Sequence, residues 1–157
     1  MKPVRVPAGL LAEMKAHGRA TYPDECCGFL IGPGRDGETD APRTVESVER
    51  AGNQFEGERR RRFLIRPEEL RDLERRLEET GRAVVGFYHS HPDHPARPSE
   101  FDQEHAWPWY SYLVISVTAS DVPSVRAFEL EPDSGVFEEV PLSVFDPSLP
   151  SPTVAPR

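Results

Sequence analysis

Two unbroken apolar runs, Ala83–Tyr88 (AVVGFY) and Tyr112–Val117 (YLVISV), constrain this chain more than any other feature. Each has the length of a strand, and neither alternates with polar residues, so both faces of each must be covered. They belong at the centre of a sheet with other elements packed against it. Cys26–Ile31 (CCGFLI), closed by Gly32-Pro33-Gly34, reads as a further buried strand. The coverings are helices. From Pro7 to about His17, Leu10, Leu11 and Met14 fall at helical spacing. Pro67 opens a second helix with Glu68 and Glu69 in its first turn, Leu70, Leu73 and Leu77 as its buried stripe, and Gly81 past its end.

Weaker signals complete the outline. Thr44–Arg50 is a partly alternating strand, Phe63–Ile65 a brief one, and a short helix falls near residues 100–106. Val125–Leu130 and Val136–Val140 form a hairpin around Asp133-Ser134-Gly135, while residues 34–42 form a polar hairpin loop. This order describes an α/β protein: one domain over residues 1–141, built on a mixed β-sheet flanked by helices. Residues 142–157 are Pro-rich with almost nothing to bury and are expected to form a disordered tail.

The composition excludes several functions. A chain of 157 residues with net charge -8 suits one domain, and nucleic-acid binding is not expected as its main task, because phosphate contacts need a cationic surface. No apolar run approaches the ~20 residues that span a bilayer, and the start MKPVRVPAGLL lacks a secretory apolar region. No membrane role is expected, and the reading is cytoplasmic. Cys26 and Cys27 are adjacent, so a bridge between them would be strained and close no useful loop. They are expected as reduced, small apolar residues of the core, Cys27 on the face of Glu25 and Cys26 pointing away.

The chemistry concentrates after the first apolar run. His89 and His91 stand two apart on a strand and can present two imidazoles on one face; Pro92 ends the strand, and the loop DHPARP could return Asp102 toward them. Two His and one carboxylate would leave a tetrahedral zinc with one open position, the layout of a catalytic site. His94 and His105 are rival ligands, His94 in an exposed Pro-rich loop and His105 one helical turn beyond Asp102, while His17 reads as a surface residue. Ser99-x-x-Asp102 is also an ordinary helix cap, which would fix where Asp102 points. Glu25, at the mouth of the first buried strand, is either an acid in a turn or a general base. Arg59–Arg62 is either a solvated run or a basic lip for an acidic partner or a substrate carboxylate. Trp107 and Trp109 are expected to pack beside the site.

Glu25, His89-Ser90-His91-Pro92 and Ser99-x-x-Asp102 together resemble the signature of the JAMM (MPN+) zinc metallopeptidases. The flanks ECCGFLIG, RRFLIRPEEL, VVGFYHSHP and AWPWYSYLVISV resemble its small prokaryotic branch, over about residues 7–141. The resemblance implies a single MPN (JAMM) domain with cytidine-deaminase-like layering. It implies one Zn²⁺ per chain on His89, His91 and Asp102, with Glu25 positioning the attacking water and Ser99 donating to the oxyanion. The implied substrate is the amide bond after the C-terminal Gly-Gly of a ubiquitin-like or sulfur-carrier protein, and family members are often homodimers. The long insert that eukaryotic members use on polyubiquitin is missing, so chain editing is not expected. A non-catalytic MPN scaffold is the alternative, marked by lost ligands; a DNA-associated RadC-type protein conflicts with the acidic balance. A zinc deaminase would need P-C-x-x-C, which is absent.

Overall fold

A computed structural model of the protein describes residues 1–34, 41–122 and 124–149. The elements run β1 (Val4–Pro7), α1 (Ala8–Thr21), β2 (Cys27–Pro33), β3 (Arg43–Thr44), β4 (Ser47–Ala51) and α2 (Pro67–Leu77). They continue with β5 (Arg82–Pro92), α3 (Glu100–Glu104), β6 (Ser111–Val117), β7 (Ser124–Leu130), β8 (Phe137–Val140) and β9 (Leu142–Phe145). Strands β4-β2-β5-β6-β7-β8 form one mixed sheet. Its central pair, β5 and β6, is parallel and the other pairs are antiparallel. The two apolar runs therefore lie side by side at the centre, as their composition requires. Gly86 lets them approach, since a Cβ there would stand 2.0 Å from the Ser111 carbonyl oxygen.

Each face of this sheet has its own core. Phe29, Phe87, Tyr112, Val114 and Phe128 face one side with Leu73 of α2. Leu30, Tyr88, Leu113, Ile115 and Ala127 face the other with Met14 of α1 and with Val4 and Val6 of β1. The strand period of two sorts neighbouring residues such as Phe87 and Tyr88 onto opposite sides. A small parallel sheet, β3-β1-β9, completes the cover on the α1 side.

Four readings change. The region expected as a tail starts as strand β9, which pairs with β1 from Val4↔Leu142 to Pro7↔Phe145, and the Arg5 guanidinium lies 4.6 Å from the Phe145 ring centre. Short strands that find partners more than a hundred residues away leave little local signal, and β1 was missed for the same reason. Residues 150–157 of that tail, and residues 35–40 of the expected hairpin loop, lie outside the described residues. The single strand expected over Thr44–Arg50 divides between β3 and β4. Phe63–Ile65 joins no ladder: Leu64 bonds to Gln54 and to the Asn53 side chain instead. Helix α1 continues to Thr21, so His17 extends the Leu10–Met14 stripe inward and is only 6% exposed. It is a core residue whose Nδ1 lies 2.8 Å from the Tyr88 hydroxyl. Among the described residues no helix is long and apolar enough to cross a membrane.

Candidate metal centre and active site

Strand β5 runs past Tyr88 through His89, Ser90 and His91, still bonded to β6 in the register His89↔Val114 and His91↔Ser116. The alternation that puts Phe87 in the α2-side core therefore puts both imidazoles on that same side. Their Nε2 atoms stand 3.1 Å apart. The loop after Pro92 is held by His94 C=O, which accepts from the Ser116 hydroxyl at 2.7 Å, and by buried Ala96. It delivers the chain to Ser99, the N-cap of α3. The Asp102 N–H donates to Ser99 Oγ at 3.0 Å and the Ser99 N–H to Asp102 Oδ2 at 2.8 Å, a reciprocal cap that aims the carboxylate. Asp102 Oδ2 then lies 3.1 Å from His89 Nε2 and 3.0 Å from His91 Nε2.

Glu25 arrives from the start of β2 and is 2% exposed. One ligand atom from each of Glu25, His89, His91 and Asp102 falls within 4.8 Å of the others, and all four residues are buried. The sequence reading missed the residues that hold Glu25. Its N–H donates to the Arg59 carbonyl at 2.7 Å, and the Asn53 amide donates to its carbonyl at 3.3 Å. Asn53 also donates to Arg62 C=O and accepts from the N–H groups of Phe55 and Leu64, using its full capacity on one loop. It is the only asparagine of the chain, the one signal that could have drawn notice. Ser90, facing away from the ion cluster, accepts the Cys26 N–H at 2.8 Å and so fastens the Glu25 end of β2 to the strand of the two His. Phe63 stacks on His89 with ring centres 4.5 Å apart and covers it.

The donors fit a metal ion. His91 Nδ1 lies 3.1 Å from the Pro95 carbonyl, which can only accept, so that nitrogen carries the proton and Nε2 presents a lone pair. That lone pair points into the space it shares with His89 Nε2, 3.1 Å away, and Asp102 Oδ2, 3.0 Å away, where one cation could take all three atoms as ligands. Glu25 Oε1 and Asp102 Oδ1 are buried without a hydrogen-bond partner, which a native protein tolerates where an ion compensates. Without that charge, burial and then Asp102 push Glu25 up to about 9. Burial lowers His89 despite the pull of Asp102. Burial alone would raise Asp102, but His89, His91 and the Ser99 N–H together hold it well below the usual carboxylate range.

The rival ligands stay outside. His94 is exposed, and His105 is exposed with Nδ1 on the Phe101 carbonyl at 2.9 Å, stacked on the Phe101 ring. Cys26 and Cys27 are free, buried thiols on opposite faces, Cys27 opposite His89 in the ladder. Trp107 packs on Phe87 beside the β5 core, whereas Trp109 is 77% exposed at φ 76° and does not join that packing.

Comparison with known proteins places this geometry. Residues 7–131 match the family described as prokaryotic homologs of the JAB domain. A desampylase from Haloferax volcanii is 40% identical over 108 residues, covering 68% of this chain and 73% of that protein. A CysO-cysteine peptidase from Mycobacterium tuberculosis is 29% identical over 142 residues, 90% of each. A solution structure of a Desulfitobacterium hafniense protein superposes with TM-score 0.75 at 30% identity, covering 91% of this chain and 93% of that one. A JAB1/MPN domain protein from Archaeoglobus fulgidus shares the fold, with TM-score 0.56 at 22% identity over 93% of this chain and 100% of its own. With the match spanning the central strands and every residue of the buried cluster, the chain belongs to the small prokaryotic JAMM/MPN family, the prokaryotic homologs of the JAB domain.

Proposed function

We propose that this chain is a zinc-dependent peptidase or isopeptidase that hydrolyses the amide bond after the C-terminal Gly-Gly of a ubiquitin-like or sulfur-carrier protein. The observation that carries the reading is the buried convergence of Glu25, His89, His91 and Asp102. The substrate class draws its support from the relatives, one a desampylase and one a CysO-cysteine peptidase. His89, His91 and Asp102 would hold the zinc, which takes nitrogen and oxygen donors and keeps a position open when the protein supplies three. Bound there, the ion supplies Lewis acidity and brings the pKa of water to about 7. Glu25 accepts a proton from the attacking water and returns it to the departing amine. The water oxygen adds to the scissile carbonyl carbon, the C–N bond breaks, and the products are a carboxylate and an amine. Ser99 Oγ accepts the Asp102 N–H and keeps its own proton for the carbonyl oxygen as charge develops on it. Two glycines before the scissile bond remove side chains that would hinder approach to so buried a centre. Two free thiols fit a reducing, cytoplasmic setting.

The scaffold alternative expects lost ligands, and none of the signature residues is missing from the sequence. The test offers the zinc-loaded protein a carrier ending in Gly-Gly, extended either by one residue or through a lysine ε-amine. The products are read by mass spectrometry. Cleavage at the second glycine, lost with a chelator, is the expected result. Undiminished cleavage after deletion of one glycine would overturn the specificity, and zinc retained by both His91→Ala and Asp102→Ala would overturn the ligand set.

A further inference from the structure

The Arg59–Arg62 run takes no part in the chemistry above, yet it borders the site on three sides. The Arg59 carbonyl holds the Glu25 N–H, Phe63 directly after the run covers His89, and the Arg62 guanidinium lies 4.6 Å from the centre of the Phe101 ring, next to Asp102. A solvated charge run needs no fixed backbone, but this one is fixed. Asn53 spans its loop with four hydrogen bonds, Arg59 Nε donates to the Phe55 carbonyl at 2.9 Å, and Arg62 also stands over Phe55. All four arginines are exposed, and among the described residues none of their guanidinium groups pairs with a carboxylate. The loop's own acids are Glu56 and Glu58, and Glu58 is turned to the Arg60 backbone N–H at 3.3 Å. A groove of about 470 Å³ runs along this edge, lined by Phe55, Gly57, Glu58, Arg60, Arg61 and Arg62.

We propose that this edge is a preorganised basic lip that docks an acidic face of the folded protein whose C-terminal tail enters the site. The inference rests on the proposed function for the tail, but the lip stands on its own geometry. Four exposed cations on a fixed backbone, in a chain of net charge -8, set up a local field opposite to that of the rest of the molecule. The run adjoins Glu25 through the Arg59 carbonyl and His89 through Phe63, so it lies beside the position the tail would occupy. Nucleic acid, the other polyanion, carries no amide bond to place in the site beside the lip.

The test uses the zinc-loaded full chain and two fluorescein-labelled probes, hexaglutamate and a decathymidylate, followed by anisotropy. Salt is set at about 20 mM and about 200 mM, since screening separates charge steering from apolar contact. Hexaglutamate should bind at low salt, weaken ~10-fold in Arg60→Ser/Arg61→Ser, and lose that difference at high salt. Arg71→Ser/Arg75→Ser removes the same charge from the outer face of α2, where both side chains are exposed, and should not weaken it. Hexaglutamate should also inhibit hydrolysis of an acid-free peptide containing Gly-Gly. Equal loss in both double variants, or tighter lip-dependent binding of the decathymidylate, would overturn the proposal. Lip-dependent hexaglutamate binding without hydrolysis of any Gly-Gly substrate would instead sink the proposed function and leave the lip standing.

Discussion

Lowering the pH from 7 to about 4.5 should cost this fold ~2.5 kcal/mol through one side chain, His17. The ring sits under α1 against Tyr88, and burial, with a smaller push from Arg50, lowers its pKa from 6.5 to about 4. Tyr88 is itself raised by burial and stays neutral throughout. Since the folded value lies below the unfolded one, the unfolded chain takes up the proton first as pH falls. The loss begins near pH 6.5 and is complete by about pH 4. At pH 4.5 the unfolded ring binds its proton about a hundredfold more favourably than at its midpoint, while the folded ring is only about a quarter protonated. At ~1.4 kcal/mol per tenfold, that gives ~2.5 kcal/mol. Urea unfolding of the metal-free protein, followed by tryptophan fluorescence at both pH values, measures it against His17→Gln. Glutamine keeps a hydrogen-bonding group toward Tyr88 but cannot charge, and the carboxylates contribute equally in both proteins. The wild type should lose ~2.5 kcal/mol more than the variant; parallel losses would refute a neutral, buried His17.

Glu25→Gln should retain zinc by metal analysis while slowing hydrolysis ~10²–10⁴-fold, the usual share of a general base; loss of the metal would make Glu25 a ligand instead. Ser99→Ala should lower kcat ~10²–10³-fold and cost ~1 kcal/mol in thermal unfolding because it also removes the α3 cap. An unchanged kcat would assign Ser99 to the cap alone. Gly28→Ala would set a Cβ 2.3–2.5 Å from the Tyr88 ring and hydroxyl, a group buried and held by His17. Overpacking of this kind costs ~1–3 kcal/mol, and a variant as stable as the wild type in urea would mean that Tyr88 can move.

What the sequence made legible was local or carried by a motif. The runs at Ala83–Tyr88 and Tyr112–Val117 place themselves, because no surface position accepts a strand apolar on both faces. The stripe Leu70–Leu73–Leu77 and its terminal signals mark α2 for the same reason. Strand period puts His89 and His91 on one face and the Ser99 cap aims Asp102, both short-range rules, so these side chains come together with Glu25 in one buried cluster. Most of the failures are long-range. Strand β9 is written as a weak apolar alternation followed by prolines, and only β1, at the other end of the chain, makes it a strand. His17 appears polar in sequence, and only the Tyr88 hydroxyl, 71 positions away, makes its burial tolerable. Asn53 is one polar residue among many until the loop closes on Glu25.

The cluster also explains why β5 is so long. A central strand that stopped at Tyr88 would serve the two cores, since Phe87 and Tyr88 already fill their faces. Continuing to Pro92 carries the same alternation into positions where the inward residues are His89 and His91. Their backbones remain locked in the ladder while their side chains leave the apolar core. This puts the imidazoles on a strand paired on both sides, and Ser90 uses the opposite face to tie in the strand that bears Glu25. The arrangement leaves Glu25 Oε1, Asp102 Oδ1 and His89 Nδ1 buried without a protein hydrogen-bond partner, and polar groups buried unpaired oppose folding. A cation bound between the imidazoles and Asp102 would draw these residues together, coupling its binding to folding.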